Sequence, residues 1–411
     1  MSLLSVDEAR RRILSKFSPL DSETVTLDNS VRRVLAKDIS AANDLPSFDN
    51  SSMDGFAAIA SDLEDVSLAS PRTLDVVADI PAGSTPNVAL FSGQVARIMT
   101  GAPMPDGADL VVPVEDTDFQ ERAPGTIAPE QVTVYRSLGA GAYVRPQGSD
   151  VVRGQPVLNA GHKLRAQDLG LLAMLGVAHV LVHRRPRVAL LSSGDELIPV
   201  DAPLLPGKIR DSNNYTLSAL IETSGGIVIP LGIAADRRES VEALLGQAAN
   251  LNSDLILSSA GVSVGAFDFI KDVVESQGDL GFWRVNMRPG KPLAFGTYRD
   301  IPFIGLPGNP VSAFVGFEVF VRPALEKLGG LKETARPRVR VRLAQDVESD
   351  GRESYLRAQV EEKDNGILSA RLAGHQGSGN LLSIVLANAL LIIPAGVKSL
   401  RSGQETDAWL L

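Results

Sequence analysis

Apolar positions along the chain change their period several times. Val6, Ala9, Ile13 and Phe17 recur at helical spacing behind Ser5-x-x-Glu8, a capping box. The chain therefore opens on an amphipathic helix, with Arg10-Arg11-Arg12 as its solvated face. From about residue 61 to 138 the apolar runs are short, at 73–80, 95–99 and 110–114, and Pro and Gly turns separate them. That pattern predicts a small β-rich domain. Residues 187–329 alternate instead, with strands at 188–191, 227–231, 255–257, 282–287 and 302–305 and helices near 213–223, 238–249, 268–276 and 311–328. Such alternation predicts an open, mostly parallel α/β sheet, whose ligands bind outside the carboxyl ends of the strands. Residues 335–411 return to period two, as in Val339-Arg340-Val341-Arg342-Leu343, and predict an all-β barrel or sandwich.

Two further segments set the domain order. Residues 44–54 are rich in Asp, Ser and Asn and read as a crossover. Residues 141–182 carry Gly148, Gly154 and Gly161, then a short helix near 166–175, and are expected to pack back on the first segment. The expected division is multidomain: 1–43 with 141–184 as an elongated α+β domain, 44–140 as an inserted β-rich domain, 185–329 as the α/β domain, and 330–411 as the C-terminal β domain.

Composition narrows the chemistry. Hydrophobic residues make up 44% and charged residues 22% of 411, ordinary for a soluble globular protein. No apolar run approaches the roughly 18–20 residues of a membrane span, and the richest, 171–182, is broken by Gly176 and His179. The N-terminus shows no signal-peptide core, so a cytoplasmic location is expected. Cysteine is absent, which excludes disulfides, thiolate nucleophiles, iron–sulfur ligation and cysteine zinc sites. His162, His179, His183 and His375 form no metal motif, and His179 and His183 read as one face of a surface strand. A bound cation should then be hard and oxygen-liganded, such as Mg²⁺. The net charge of −9 argues against general nucleic-acid binding but leaves room for a local basic pocket.

Polar chemistry follows nearly every strand of the α/β region. The first strand ends in Ser192-Ser193-Gly194-Asp195-Glu196, the second precedes Asp236, and the third ends in Ser258-Ser259-Ala260-Gly261-Val262-Ser263-Val264-Gly265, with Asp268 beyond. Arg284 and Arg288-Pro289-Gly290-Lys291-Pro292 come next, then Leu306-Pro307-Gly308-Asn309-Pro310 at the head of a helix. Asn309 suits an N-cap, and Pro310 suits the first helical position. Glycine turns and helix starts expose backbone N–H groups that favour an anion, most often phosphate. Carboxylates beside a phosphate would repel it unless a cation bridges them. Glu196, Asp236 and Asp268, with Asp195, are thus candidate Mg²⁺ ligands or water-mediated partners; the alternative is that each Asp only caps a helix. Neither a G-x-G-x-x-G dinucleotide fingerprint nor a P-loop is present, and no Ser/His pairing for acyl transfer is apparent.

Six motifs in order then resemble one family. They are Pro46-Ser47-Phe48-Asp49-Asn50-Ser51-Ser52-Met53-Asp54-Gly55-Phe56, Arg97-Ile98-Met99-Thr100-Gly101-Ala102-Pro103, Ser193-Gly194-Asp195-Glu196-Leu197, Gly261-Val262-Ser263-Val264-Gly265, and the two Pro-Gly turns above. The chain resembles the molybdopterin molybdenumtransferases, the MoeA family, related to the C-terminal part of gephyrin. The resemblance reaches Gly374-His375-Gln376-Gly377-Ser378 in the last domain. It implies an elongated homodimer whose α/β domain is of the molybdopterin-binding type. Adenylylated molybdopterin would bind there, and molybdate would be inserted into its dithiolene with Mg²⁺-assisted release of AMP. Asp54 and Thr100 would be catalytic and would face the α/β domain of the other subunit. Glu196, Asp236 and Asp268 would be catalytic and metal-binding. Ser193, Gly194, Gly261, Ser263, Gly265, Arg284, Arg288, Lys291, Pro307, Gly308, Asn309 and Pro310 would hold the ligand. The molybdopterin adenylyltransferase and chaperones of apo-molybdoenzymes would be protein partners.

The chain departs from the family pattern in places. Ala260 replaces a glycine, Gly148-Ser149-Asp150 replaces Gly-Glu-Asp, Ala266-Phe267 precede Asp268 where an acidic residue often lies, and Arg284 stands where lysine is common. Two rivals are weighed. The adenylyltransferase of the preceding step shares only the α/β domain and carries a Thr-Gly-Gly-Thr-Gly loop. A non-catalytic scaffold would not need Asp54, Glu196 and Asp268 together.

Overall fold

The structure, a computed structural model, describes residues 3–119, 125–260, 266–332, 336–363 and 366–411. The chain forms two compact units: Met1–Lys37, Ala160–Ala166 and His179–Leu411 make one, Asp38–Asn159 and Gln167–Ala178 the other.

In the first unit the α/β region builds β1 (Arg187–Ser193), α1 (Ser212–Thr223), β2 (Ile227–Ala234), α2 (Arg238–Asn250), β3 (Leu255–Ala260), α3 (Ala266–Ser276), β4 (Gly278–Arg284), β5 (Pro292–Tyr298) and β6 (Ile301–Pro307). The sheet order is β2-β1-β3-β6-β5-β4, parallel from β2 to β6 and antiparallel across β6–β5 and β5–β4. Both faces are covered, so β1 reads as a continuous apolar run. Val188 and Leu190 pack with Leu217 and Ile221 of α1 on one face. Ala189 and Leu191 pack with Val241 and Leu245 of α2 and Val273 of α3 on the other.

Two differences from the sequence reading lie here. The strand expected at 282–287 is β4, which ends at Arg284, and β5 went unread. Glycines hide both strands from periodicity: a Cβ on Gly278 would lie 2.0 Å from the Thr297 carbonyl oxygen, and one on Gly296 1.9 Å from that of Asp279. The Pro289-Gly290 turn therefore closes a hairpin rather than opening a helix. The helix expected at 311–328 is present but not uniform. It runs α4 (Pro310–Gly316), a π turn at Phe317–Val321, then α5 (Arg322–Leu328). Pro323 has no N–H for the regular ladder, and the wider turn absorbs the lost bond.

The N-terminal helix, Val6–Leu14, buries Val6, Ala9 and Ile13 in the core that holds Phe317 and Phe320. The Ser5 hydroxyl accepts the Glu8 N–H at 3.2 Å. Glu8 does not complete the box: its carboxylate turns to Arg12 and Arg11, which hold its pKa below the usual value. Ser22–Thr26 pairs antiparallel with His179–His183. His183 is structural, its Nδ1 lying 2.8 Å from the Leu20 carbonyl oxygen. The C-terminal strands β6-following are β7 (Val339–Leu343), β8 (Glu353–Glu362), β9 (Leu368–Leu372), β10 (Ala389–Ile393) and β11 (Glu405–Leu410). They close in the ring β8-β9-β7-β11-β10-β8. Closure of the barrel leaves no free edge. Arg340 and Arg342 face outward and pair with Asp407 and Glu405.

The second unit is built on a five-stranded sheet in the order Leu110–Pro113, Gly55–Ala58, Gln94–Ile98, Arg72–Ile80, Gln131–Val134. Gly55–Ala58 escaped the sequence reading because it is short and three of its four residues are Gly or Ala, which carry little strand signal. Gly55 is required there, since a Cβ would lie 2.0 Å from the Val112 carbonyl oxygen.

Inside the π turn Glu318 is 4% exposed and accepts from Arg322 at 3.1 Å and Arg336 at 2.7 Å. Glu318→Ala would leave the poorly solvated Arg336 guanidinium without a carboxylate and Arg322 with Glu326 alone, so a loss of about 3 kcal/mol in urea unfolding is expected. Glu318→Gln, which keeps an acceptor, should lose less. An alanine variant as stable as the parent would remove this network from the list of fold determinants.

Candidate active site

The chain leaves β1 through α1 to β2 on one side, then crosses to β3 on the other. The switch point therefore lies between the carboxyl ends of β1 and β3, where open α/β sheets bind ligands. Those ends are Ser192-Ser193 and Ser258-Ser259, all buried. The hydroxyls of Ser192 and Ser258 have no hydrogen-bond partner among the described residues. Buried hydroxyls without partners are rare in folded proteins, and here they border the strand-end crevice.

The loops after β1 and β2 lock onto each other. The Ser193 hydroxyl donates to Asp236 Oδ1 at 3.1 Å, the Asp195 N–H to Asp236 Oδ2 at 3.4 Å, and the Asp236 N–H to Asp195 Oδ1 at 3.1 Å. Neither aspartate caps a helix: α2 takes Arg237 as its N-cap, without a side-chain bond. Lys208 Nζ, at 2.5 Å from the Asp195 carbonyl oxygen, braces the same loop. Gly194, at φ +154, makes room for Glu196: a Cβ there would meet the Glu196 carboxylate at 2.5 Å. Glu196 itself is exposed.

Asn213, which the sequence reading did not single out, joins β3 to the Pro-Gly-Asn-Pro turn. It is 7% exposed, and its Nδ2 donates to Ser259 Oγ and to the Gly308 carbonyl oxygen, each at 2.7 Å. Asp211 places it by capping α1 through the Asn214 N–H at 3.1 Å. At the turn Pro307 is buried, Gly308 and Pro310 are half-buried, and Asn309 is exposed. Asn309 is the N-cap residue of α4 and Pro310 its first residue, but the Asn309 side chain makes no capping bond.

Positive charge enters from the hairpin and the barrel. Arg284 and Lys291 are exposed, with no ion pair among the described residues. Met287-Arg288 forms a short strand in parallel register with Glu353-Ser354 of β8, so Arg288 is held against the barrel. Arg357 of β8 was not anticipated: it alternates with Leu356 and Ala358 of the barrel core and so lies on the barrel's outer face, which no local pattern in the strand marks out. It is fully buried, donating to Ser383 Oγ at 3.0 Å and to the Gly377 carbonyl oxygen at 3.0 Å. It has no carboxylate partner among the described residues. Burial and the charge of Arg288 lower its pKa to about 10. The Gly374–Ser378 loop carries the Gly377 acceptor. Gln376 exchanges two bonds with the Arg357 backbone, and the Ser378 carbonyl oxygen accepts the Val311 N–H at 3.0 Å. The loop thereby ties the barrel to the start of α4.

Asp54 and Thr100 lie in the other compact unit and touch: the Thr100 N–H and hydroxyl both donate to Asp54 Oδ1 at 2.7 Å. Gly101, at φ +81, follows in the turn. Gly261, Ser263 and Gly265 lie outside the described residues. Asp268 sits in the first turn of α3, its side chain also outside the description.

Known proteins match this arrangement along the whole chain. Residues 4–176 match the MoeA N-terminal region (domain I and II), 189–327 a probable molybdopterin binding domain, and 340–411 the MoeA C-terminal region (domain IV). A molybdopterin molybdenumtransferase of Nostoc sp. is 38% identical over 394 residues, covering 94% of this chain and 88% of the relative. Molybdopterin molybdenumtransferase 2 of Mycobacterium tuberculosis is 37% identical over 412 residues, covering 98% and 99%. The crystal structure of the molybdopterin biosynthesis protein MoeA from Pyrococcus horikoshii superposes with a TM-score of 0.82 at 30% identity, covering all of both chains. With these matches to sequence and fold, the chain belongs to the MoeA family of molybdopterin molybdenumtransferases.

Proposed function

We propose that this chain inserts molybdenum from molybdate into adenylylated molybdopterin, releasing AMP with the help of Mg²⁺. The observation that carries the reading is the pair of guanidinium groups at Arg288 and Arg357, one of them fully buried and bonded to the loop that holds the head of α4. Two like charges in a poorly solvated place are relieved by an anion, and a pterin phosphate supplies one. On this reading Arg284, Arg288 and Lys291 hold the anionic groups, with Ser193, Gly194, Pro307, Gly308, Asn309 and Pro310 shaping the pocket. The donor set also suits Mg²⁺. That ion commonly takes one or two carboxylates and completes its shell with water and substrate phosphate, and Glu196, Asp236 and Asp268 offer such groups at the strand ends. Bound there, it would neutralise charge building on the departing phosphate. Asp236 would be oriented by Ser193 and the Asp195 N–H, and Asn213 would hold the Ser259 and Gly308 walls in register.

The reading extends to a homodimer in which Asp54 and Thr100 complete the partner's site, and to a cytoplasmic setting. Among the described residues no helix is long and apolar enough to cross a membrane. We keep the four-domain division at 1–43 with 141–184, 44–140, 185–329 and 330–411. The adenylyltransferase and chaperones of apo-molybdoenzymes remain proposed partners. The direct test is incubation of the purified protein with adenylylated molybdopterin, Mg²⁺ and molybdate. Release of AMP that requires both protein and molybdate is expected; none at any protein concentration would refute the assignment.

Binding and chemistry should separate in two variants. Asp268→Asn should keep adenylylated molybdopterin but release AMP about 10²–10³ times more slowly, as for a charge that acts mainly in the transition state. Arg288→Ala should chiefly weaken binding. Equilibrium binding and single-turnover AMP release decide between them. Weak binding with normal saturated turnover in Asp268→Asn would make that carboxylate a binding or capping group instead.

A shared site also predicts complementation. Asp54→Ala and Asp268→Ala chains, each inactive alone, should form mixed dimers with one intact site and recover part of the activity. If mass measurements show subunit exchange and activity stays absent, the two residues do not serve a site divided between subunits.

A further inference from the structure

At the opposite end of the parallel sheet from Ser193 and Asp236 there is a cavity of about 410 Å³. Its wall includes Pro186, just before β1, and Gly225, just before β2, together with Gly329 and Leu331 beyond α5. The cavity is charged, and its charges do not cancel. Arg33 pairs with Glu23, Arg184 holds Asp254 with two bonds of 2.6 and 2.7 Å, and Glu326 pairs with Arg322 at 2.6 Å. Once these pairs are set aside, Arg32, Lys163 and Arg185 remain on the wall against Glu222 alone. Three cations against one carboxylate leave a surplus of two positive charges, in a chain whose net charge is −9.

The surplus cations are open to a ligand. Arg185 spends its donors on neutral oxygens, the carbonyls of Gly225 at 3.1 Å and Gly226 at 2.5 Å. Neither the Arg32 guanidinium nor the Lys163 ammonium has a hydrogen bond or ion pair among the described residues, although the field of Lys163 reaches Glu326. Arg32 also has left-handed backbone, φ +64, which a long side chain rarely adopts. Its N–H donates to the Leu164 carbonyl oxygen at 2.8 Å, which fixes that turn beside Lys163. Ser224 on the same wall is half-buried and offers a hydroxyl. A concave surface with a fixed excess of one sign concentrates counter-ions, and a volume of this order holds a small ligand.

We infer that this cavity binds a phosphate-type dianion, matched to Arg32, Lys163 and Arg185. The ligand would bridge the residue 29–34 turn and the 160–166 segment to the chain entering β1, and would brace the junction from which the α/β sheet starts. It is either a free oxyanion or the phosphoryl group of a small organic ester.

The test titrates inorganic phosphate and, separately, glycerol 3-phosphate into the full-length protein, followed by ³¹P line broadening against sodium chloride of matched ionic strength. Because the strand-end site also attracts phosphate, Arg288→Ala serves as the background. On it, saturable binding is expected to persist, to weaken at least ten-fold on adding Arg32→Gln with Lys163→Gln, and to tighten on adding Glu222→Gln. Tighter binding of the ester would assign an organic phosphate, and binding of phosphate alone a free oxyanion. Loss of all binding in Arg288→Ala, equal effects of chloride, or indifference to the three cavity substitutions would each overturn the inference. Thermal unfolding of every variant without phosphate separates lost binding from lost fold.

Discussion

The parallel pairing of Arg187–Ser193 with strands on both its sides is the constraint on which the site depends. Its register sets Ser193 beside Ala234 on one flank and Ala260 on the other. Parallel strands must all end at one edge of the sheet, so each connecting loop begins there. That geometry brings Ser193, Asp195, Glu196, Asp236 and Ser259 to one place, although Ser193 and Ser259 are far apart in the chain. The sheet also exacts a local condition. The last serines of β1 and β3 are buried among apolar neighbours, and two of their hydroxyls find no acceptor among the described residues. Such unpaired polarity costs free energy and is commonly concentrated where a ligand can relieve it.

The barrel supplies what the sheet lacks. The strand-end loops are acidic, and the proposed ligand, a phosphorylated pterin, needs cations. Arg288 belongs to the α/β hairpin by sequence, yet its backbone pairs with β8. On the outer face of β8 Arg357 is buried against the Gly374–Ser378 loop, which solvates it with carbonyl oxygens in place of a carboxylate. A paired carboxylate would neutralise the guanidinium; neutral oxygens leave its charge available. The same loop bonds to the head of α4, which ties the barrel to the Pro-Gly-Asn-Pro turn. A domain that looks separable in sequence is thereby bonded to the turn at the head of α4.

Much of this was legible in the amino-acid order. The N-terminal helix, α1, α2, α3 and the parallel strands follow from periodicity and caps, because each buries a face that recurs at a fixed local spacing. The strand-end serines, glycines and carboxylates were readable for the same reason, since a strand's end is a local event. Glycine-rich β4 and β5 were not, because their glycines answer to carbonyl oxygens on a neighbouring strand. Gly55–Ala58 was missed because it is short and mostly Gly and Ala, residues with weak strand preference.

What the sequence by itself determined is the set of elements, the ordered motifs and the types of group on offer at the strand ends. Only the tertiary structure decided which groups meet. Asn213 joins Ser259 to Gly308 and Arg288 stands near a buried Arg357, while Asp195 and Asp236 satisfy each other's backbone instead of capping helices. Hydrophobic patterning acts over a few residues and is written into every turn of helix or pair of strand positions. Hydrogen bonds and unscreened charge act between whichever groups the packed chain brings within a few ångströms, and no local spacing encodes that meeting.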